Sequence, residues 1–492
     1  MNISIYRVML SFLVSAIVVN ALTYEIVGTG TTDFYSDAAV ITEPQAGEAY
    51  YGQDAHYQKN MPSYTDNGDG TVTDNITDLM WQQDMGEKIS WHTAFTKADT
   101  LSLGGYDDWR FPTIKELYSL IDYNGHSGGE TAIIKFIDTV NFNQPIGNTS
   151  LGEREIDAQT WSATKYVGLT MNKDSTIFGV NFIDGRIKGY PQYDPMGGSE
   201  NTMYSRMVRG GDGYGKNMYK DNGDGTITDS ATGLMWQTAD DGIKKDWEGS
   251  LSYAENLEFA SCSDWRLPSV KELQSIVDYS RAPSITNSAA IDPLFACTEI
   301  DDPDGNSGHY GIYWSATTHL DGNVPESNGC YVAFGEAQGK MTTPQGTNLM
   351  DVHGAGAQRS DPKSGDSTSY PEYFGPQGDV RYVYNFVRCV RYADLTPTSI
   401  EVRINSNTDQ FDLSSRIIGN ELKLSFNLPK TQNVTVDLLS ANGRSVMNIF
   451  SGMMSTGNNI KSIKLSNKLS QGLYLVSVEG VDVSAVSKLI VQ

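Results

Sequence analysis

The chain has little cysteine, a deficit of positive charge and a single long apolar run. Four cysteines occur in 492 residues, and 36 Lys and Arg stand against 60 Asp and Glu, a formal net charge of −24. A field of this sign disfavours nucleic acid and anionic membranes, and it opposes long-range attraction of sulfated polysaccharides. The apolar run, Val8–Val19, is shorter than the roughly 20 residues of a membrane-spanning helix.

The N-terminus has the features of a secretory signal peptide. Arg7 supplies the positive start, and Val19-Asn20-Ala21 supplies a small-residue cleavage site after the apolar run. We therefore expect removal of residues 1–21 and a mature chain outside the inner membrane, with no transmembrane anchor. An uncleaved N-terminal anchor is the alternative.

Motifs for catalysis are lacking as well. The six histidines show no zinc-binding spacing, and the sequence contains no nucleophile elbow. No cysteine is accompanied by a histidine or aspartate that occupies matching positions in the two halves of the chain, as a catalytic thiol would require. The sequence therefore predicts a protein that is not an enzyme and has no cofactor, with calcium as the one ion left open.

Tryptophan is a rare residue, but in this chain it is regularly placed. The eight tryptophans form four pairs, each 153 to 156 residues apart: Trp81 and Trp236, Trp91 and Trp247, Trp109 and Trp265, and Trp161 and Trp314. Such spacing indicates one unit written twice. We expect Trp81, Trp236, Trp109 and Trp265 to lie in the core, because a repeated indole buries a large apolar area. Trp161 and Trp314 each begin a loop-rich region and are candidates for stacking on a ligand.

These pairs and the changes in composition divide the chain into six parts. An N-terminal segment at residues 22–50 follows the signal peptide. The first copy covers residues 51–213 and the second covers residues 214–394. A linker at residues 395–401 precedes a C-terminal domain at residues 402–492, whose short alternating strands predict a small β-sandwich.

Each copy carries the same local signals. Asp-Asn-Gly-Asp-Gly turns after Thr65 and Lys220 predict hairpins. Helices are predicted at about Trp91–Leu101 and Trp247–Phe259, and two more begin at capping boxes formed by Thr113 with Glu116 and by Ser269 with Glu272. The Gly-, Ser-, Pro- and Asp-rich stretch from Thr342 to Gly378 predicts a long surface loop specific to the second copy.

All four cysteines lie in the second copy, and an even number in an exported chain predicts two disulfides. The first copy has apolar Phe178 and Met207 opposite Cys330 and Cys389, as facing strand positions would require. We therefore predict bonds between Cys330 and Cys389 and between Cys262 and Cys297.

The shared motifs resemble those of a known family. They include Gly233-Leu234-Met235-Trp236, Asp264-Trp265-Arg266-Leu267-Pro268, Trp314-Ser315-Ala316-Thr317 and Arg388-Cys389-Val390-Arg391. Each copy resembles the C-terminal domain of the Lcl collagen-like bacterial adhesin. The resemblance implies an α+β fold of two tandem C-type-lectin-like domains. It also implies surface binding, with sulfated glycans as ligands of the best-known member, which the acidity of this chain opposes.

The C-terminal domain resembles the type A sorting domain of the type IX secretion system. Leu438-Leu439-Ser440-Ala441-Asn442-Gly443-Arg444, Gly472-Leu473-Tyr474-Leu475-Val476 and Ser487-Lys488-Leu489-Ile490-Val491 carry the likeness. It implies an immunoglobulin-like all-β sandwich and an interaction with the type IX machinery. It also implies passage through the outer membrane of a Gram-negative bacterium, followed by release or anchoring at the cell surface.

Candidate ligand residues are few. Besides the two tryptophans, they are the basic residues Arg186, Lys188, Arg206, Arg209, Arg388 and Arg391, of which one in each terminal Arg pair is expected to be structural. A set of scattered, solvated charges is the alternative. The oxygen-rich loop with Asp301, Asp302, Asp304 and Asn306 is the candidate calcium site, with a plain solvated loop as the alternative.

These observations predict an exported, non-enzymatic adhesion or recognition protein for extracellular glycan or protein ligands. Two alternatives stay open. One is an enzyme related to formylglycine-generating enzymes, because Val208-Arg209-Gly210-Gly211 resembles a segment of their sequences. The chemistry of those enzymes, however, needs a close pair of cysteines. The other is a structural coat protein without a specific ligand.

Overall fold

A computed structural model describes residues 24–130, 132–194, 197–343, 346–393, 413–418, 421–440, 445–464, 472–480 and 484–491. The predicted signal peptide and linker lie outside these residues. Residues from Thr23 to Asp394 form one compact unit, called the body here, and the residues after 394 belong to a second unit. Among the described residues, no helix is long and apolar enough to cross a membrane.

The first half of the body contains eleven described strands and two α-helices. The strands are β1 (Phe34–Tyr35), β2 (Val40–Ile41), β3 (Tyr64–Asp66), β4 (Thr71–Asp74), β5 (Met80–Gln82), β6 (Ile89–Ser90), β7 (Thr160–Thr170), β8 (Asp174–Asn181), β9 (Arg186–Pro191), β10 (Thr202–Met203) and β11 (Val208–Arg209). The helices are α1 (Trp91–Thr100) and α2 (Ile114–Ser119), and short 3-10 turns lie at Asp54–Tyr57 and Thr149–Leu151.

The second half repeats this order with additions. Its strands are β12 (Tyr219–Asp221), β13 (Thr226–Asp229), β14 (Leu234–Gln237), β15 (Glu299–Ile300), β16 (His309–Tyr310), β17 (Ile312–His319), β18 (Asn328–Ala333), β19 (Gln338–Thr343), β20 (Gly346–Asp351), β21 (Gln358–Pro362), β22 (Glu372–Phe374), β23 (Asp379–Arg381) and β24 (Val390–Tyr392). Its helices are α3 (Trp247–Glu255), α4 (Val270–Ser275) and α5 (Pro283–Thr286), with 3-10 turns at Pro325–Ser327 and Ser367–Ser369.

The α+β prediction of two tandem C-type-lectin-like domains is wrong. The chain is predominantly β, with 39% strand and 12% helix, arranged in many small antiparallel sheets. The predicted helices and both capping boxes do form, but α2 and α4 span only six residues each. The stretch from Thr342 to Gly378 is also not simply a loop, because it contains the end of β19 and the whole of β20, β21 and β22.

The two copies share one sheet, which relates them by a pseudo-two-fold axis. Its strand order is β17-β18-β21-β9-β8-β7, so each copy contributes three strands in mirrored order. The central strands β21 and β9 run antiparallel and pair at Gln358 and Ile187. One face of this sheet packs on a core that draws residues from both copies, including Val180, Val332 and the helices α2 and α4. Each copy also has a smaller core of its own.

The helices repeat the symmetry through a reciprocal pair of lysines. Lys115 of α2 donates to the carbonyl of Ser275 at the end of α4 (2.6 Å), and Lys271 of α4 donates to the carbonyl of Ser119 at the end of α2 (2.8 Å). Contacts that exchange in this way are the mark of an isologous interface. Burial lowers the pKa of each lysine to about 8.

The second unit contains strands β25 (Leu413–Ile418), β26 (Glu421–Leu428), β27 (Gln432–Ser440), β28 (Ser445–Met454), β29 (Gly457–Lys464), β30 (Gly472–Gly480) and β31 (Ser484–Val491). They form a three-stranded sheet of order β25-β26-β29 and a four-stranded sheet of order β28-β27-β30-β31. Alternating apolar residues of β26, β27 and β30 fill one core, as the alternation of strand side chains requires.

Candidate functional site

Trp161 and Trp314 are buried and therefore unsuited to stacking on a ligand. Both side chains have 0% exposure, and each lies in the small core of its own copy. Trp161 donates its indole N–H to the carbonyl of Ile89 (3.1 Å), and Trp314 donates to that of Lys245 (2.9 Å). The other predicted core tryptophans, Trp81, Trp236, Trp109 and Trp265, are buried as expected.

Arg206 and Arg388 are structural. Each is fully buried and donates to three backbone carbonyls, those of Gln82, Gln83 and Asn143 for Arg206 and those of Gln237, Thr238 and Ala296 for Arg388. The guanidinium groups thus fix the loops that follow β5 and β14. Neither arginine offers a donor to an external ligand.

Arg209 and Arg391 form ion pairs at the surface of the body. Arg209 bonds Asp108 (2.6 Å) and stacks over the ring of Tyr106 (3.6 Å), and Arg391 bonds Asp264 (2.7 Å). Only 20% of the Arg209 side chain and 6% of the Arg391 side chain are exposed. Both guanidinium groups are paired with carboxylates of their own copy. The sequence predicted one structural arginine in each pair, whereas both arginines of each pair bond to groups within the body.

Arg186 and Lys188 lie on β9, where the two copies meet. Arg186 bonds Asp321 of the second copy (2.6 Å), and Lys188 bonds Asp184 (2.5 Å). Burial lowers the pKa of Lys188, while Asp184 opposes that shift. These cations therefore neutralise carboxylates within the body and do not form a basic spot.

The candidate calcium loop joins β15 to β16. Asp302 accepts hydrogen bonds from the backbone amides of Asp304 (3.0 Å) and Asn306 (2.8 Å), and Asp304 pairs with Lys340 (3.2 Å). Asp301 precedes them in the same loop. Among the described residues, no group of three or more His, Cys, Asp or Glu is arranged to hold a metal. Calcium at this loop stays a prediction.

The predicted disulfides are not formed. All four cysteines are free thiols. Cys330 lies in the core shared by the two copies and Cys389 in the smaller core of the second copy, so the predicted partners are separated. Cys262 and Cys297 are divided between the same two cores, and Cys297 instead accepts a contact from Arg388 (3.5 Å).

A contrast between the copies identifies a surface that the sequence did not predict. We call the open face the surface of the first copy formed by Trp91, Phe95, Ala163 and Thr164, with the buried Phe111 packed against Phe95. The counterparts in the second copy form the covered face: Trp247, Leu251, Leu267, Ala316 and Thr317. Phe95 is 39% exposed, whereas Leu251 is 1% exposed. Trp91, Ala163 and Thr164 are partly exposed, whereas their three counterparts are buried.

The N-terminal cover, residues 24–60, makes this difference. Thr317 donates its hydroxyl to Asp54 (2.6 Å), Glu255 accepts a bond from Tyr57 (2.6 Å), and the ring of Tyr50 lies 6.3 Å from that of Trp247. The cover thus lies on the second copy, although it precedes the first copy in the chain.

The start of the cover also fills a groove between the copies. Lys271 donates to the carbonyl of Gly28 (2.9 Å), the amide of Tyr123 donates to that of Thr29 (2.8 Å), and Asn124 donates to that of Gly30 (2.8 Å). Asp54 accepts a second bond from Thr29 (2.6 Å), and burial raises its pKa.

The symmetry-related groove beside the first copy is an open cavity of about 440 Å³. Thr113, Lys115 and Thr164 line one side, and Asp278 and Tyr279 line the other. These residues match Ser269, Lys271, Thr317, Asp122 and Tyr123 of the filled groove. Lys115 donates to the carbonyl of Gly215 (3.2 Å) as Lys271 does to that of Gly28, but the chain after Gly215 continues directly into β12.

One signal in the sequence points to this surface. Aligned by their tryptophans, the copies carry the aromatic residues Phe95 and Phe111 in the first where the second has the aliphatic Leu251 and Leu267. The N-terminal segment also has no counterpart before the second copy. Local patterns, however, do not reveal which copy such a segment covers.

Two family profiles match the chain. The Lcl C-terminal domain matches residues 70–209 and 225–350, which together make up more than half of the chain. The secretion system C-terminal sorting domain matches residues 419–492. No curated protein matches the chain. Both resemblances noted in the sequence are thus confirmed, and the type IX sorting domain indicates export to the medium or the outer surface and interaction with the secretion machinery.

Proposed function

Because the chain belongs to the Lcl C-terminal domain family and ends in a type IX sorting domain, we propose that this secreted or surface protein binds an extracellular ligand on the open face. The observation that carries the proposal is the exposure of Phe95, which is 39% against 1% for Leu251 in the same position of the second copy. An aromatic surface left in water costs free energy that a ligand can recover.

The chemistry of the open face suits recognition. Trp91, Phe95 and Phe111 form two successive edge-to-face pairs, with ring centroids 4.9 Å and 5.2 Å apart. Aromatic side chains have few rotatable bonds, so little conformational entropy is lost when a ligand covers this row. The cover occupies the equivalent position on the second copy, and the proposal therefore assigns one ligand site to each chain.

The proposed role is non-enzymatic. Burial raises the pKa of the Cys330 and Cys389 thiols well above their usual range, which keeps both protonated and poorly nucleophilic. Burial likewise lowers the pKa of His319 to about 3 and that of His353 to about 4, so both stay uncharged at neutral pH. These properties disfavour the thiol chemistry of the formylglycine-generating type.

A binding screen tests the proposal. The mature chain is applied to a glycan array and to a peptide array, in parallel with Phe95→Ser and with Leu169→Ser. Leu169 is 52% exposed on β7, five residues beyond Thr164 of the open face, and therefore controls for loss of an exposed apolar residue. We expect bound ligands to be lost with Phe95→Ser and kept with Leu169→Ser. Equal binding by both variants would refute the open face as the binding site, and no ligand on either array would favour a structural coat.

A further inference from the structure

We propose that the ligand of the open face is an extended peptide segment of a partner protein. This segment lies in the open groove, the cavity beside the first copy, as residues 28–31 and Asp54 of the cover lie on the second copy. This inference rests on the proposed function and adds the class of ligand. The chain itself provides the template, because the filled groove and the open groove are related by the pseudo-two-fold axis and built from matching residues.

The backbone partners of such a segment are in place. Asp278 and Asp122 occupy matching positions, and each accepts the amide of the residue two further on, Ser280 at 3.0 Å and Asn124 at 2.9 Å. The amide of Tyr123 donates to Thr29, whereas that of Tyr279 meets no acceptor within the part of the chain that the structure describes. A peptide carbonyl in the open groove would supply the acceptor that Thr29 supplies in the filled one.

The side chains specify the peptide further. The amide of Ile114 donates to the Thr164 hydroxyl oxygen (3.0 Å), as that of Val270 donates to Thr317 (3.0 Å). The Thr317 hydroxyl itself donates a hydrogen bond to the Asp54 carboxylate, so the Thr164 hydroxyl is placed to donate to a carboxylate of the ligand. Phe95 and Trp91 offer an apolar surface for a neighbouring aliphatic or aromatic side chain.

The groove also selects for a small residue. Gly30 has φ +85°, and a Cβ there would lie 2.5 Å from the Asp122 carboxylate. Asp278 holds the matching place in the open groove. We therefore expect the bound peptide to carry glycine where its chain passes this carboxylate, with the acidic residue farther along.

A displayed random-peptide library selected on the mature chain tests this inference. The groove variant is Ser280→Trp, because Ser280 is exposed and lines the cavity, and Leu169→Ser is the matched control. Equal unfolding midpoints establish that the variants are folded. We expect glycine-containing acidic peptides to be enriched and to bind at least about tenfold more weakly to Ser280→Trp. Their binding should slow hydrogen exchange of the Tyr279 amide, while Tyr123 is protected with or without peptide.

The outcomes separate the two proposals. Enriched peptides that bind Ser280→Trp and the wild type equally, without protecting Tyr279, overturn the peptide assignment. A glycan that depends on Phe95, with no enriched peptide, overturns the peptide class and leaves the proposed function standing. Self-association of the chain that Ser280→Trp abolishes replaces the partner by a second copy. The absence of any ligand that depends on Phe95 refutes both.

Discussion

At the residue scale, the buried arginines show how the body uses charge. Arg206→Met keeps the apolar stem of the side chain but removes the three hydrogen bonds that the guanidinium donates to the carbonyls of Gln82, Gln83 and Asn143. We expect the free energy of unfolding to fall by about 3 kcal/mol, because each lost hydrogen bond contributes about 1 kcal/mol. Arg209→Met, which removes a surface ion pair, should cost about 1 kcal/mol or less. Urea titration of both variants measures the difference, and equal losses would contradict the buried role.

A buried carboxyl makes stability depend on pH. Burial raises the pKa of Asp361 to about 7, and the backbone amide of Tyr382 donates to it (2.9 Å). In the unfolded chain the carboxyl releases its proton near pH 4. The folded state therefore holds a proton that the unfolded state lacks between about pH 4 and 7, and its stability falls as pH rises across this window.

Asp361→Asn tests this dependence, because the amide keeps an acceptor for Tyr382 and does not titrate. Between pH 5 and pH 8 the wild type should lose about 3 kcal/mol of unfolding free energy relative to the variant, because each of the two pH units below the folded pKa contributes about 1.4 kcal/mol. Urea unfolding at the two pH values gives both numbers. Parallel pH profiles for the two proteins would show that Asp361 is not the titrating group.

At the scale of elements, the reciprocal lysines join α2 to α4. Lys115→Met removes the donor to Gly215, Asn217 and Ser275, and Lys271→Met removes the donor to Gly28 and Ser119. Because these hydrogen bonds join α2 to α4 and to neighbouring segments, each change should lower the unfolding free energy by about 2 kcal/mol. Lys165→Met, on an exposed position of β7, is the control and should change it little. Unchanged stability in either helix variant would show that the lysines do not hold the helices together.

Elements that depend on neighbouring residues could be predicted from the sequence. Contacts between residues far apart in the chain could not. The hairpins after Thr65 and Lys220 and the capping boxes at Thr113 and Ser269 form as predicted, since each depends on neighbouring residues. The pairing of β21 with β9 joins strands about 170 residues apart, and no periodicity encodes it. The α+β prediction was wrong because small antiparallel sheets predominate, whereas α2 and α4 span only six residues each.

The candidate site was missed on similar grounds. Basic and aromatic residues that recur in both copies suggested binding, yet Arg206, Arg388, Trp161 and Trp314 recur because both copies need them for packing. The distinguishing features are the residues that differ, such as Phe95 against Leu251. Their meaning depends on where the N-terminal cover lies, which is a property of the folded chain.

At the scale of the whole molecule, the two copies are related by symmetry in the sheet and core that they share, but not on their outer faces. The shared sheet and core make the body one unit, whereas the cover makes its two outer faces unequal. Deleting residues 33–57 should expose the covered face and with it Trp247, which is fully buried in the intact chain. We expect a red shift of tryptophan emission and new binding of an apolar dye. Unchanged emission would show that the cover does not shield this face.

A shared core also determines how the body unfolds. All eight tryptophans lie between Trp81 and Trp314, so tryptophan emission reports on the body without interference from the C-terminal sorting domain. If the copies are one cooperative unit, emission should show a single transition, and Arg206→Met and Arg388→Met should each move that whole transition to lower urea by a similar amount. The variants act in different copies, so their symmetry makes them matched probes. Two separable transitions, each moved by the variant in its own copy, would mean that the six-stranded sheet joins two domains that fold independently.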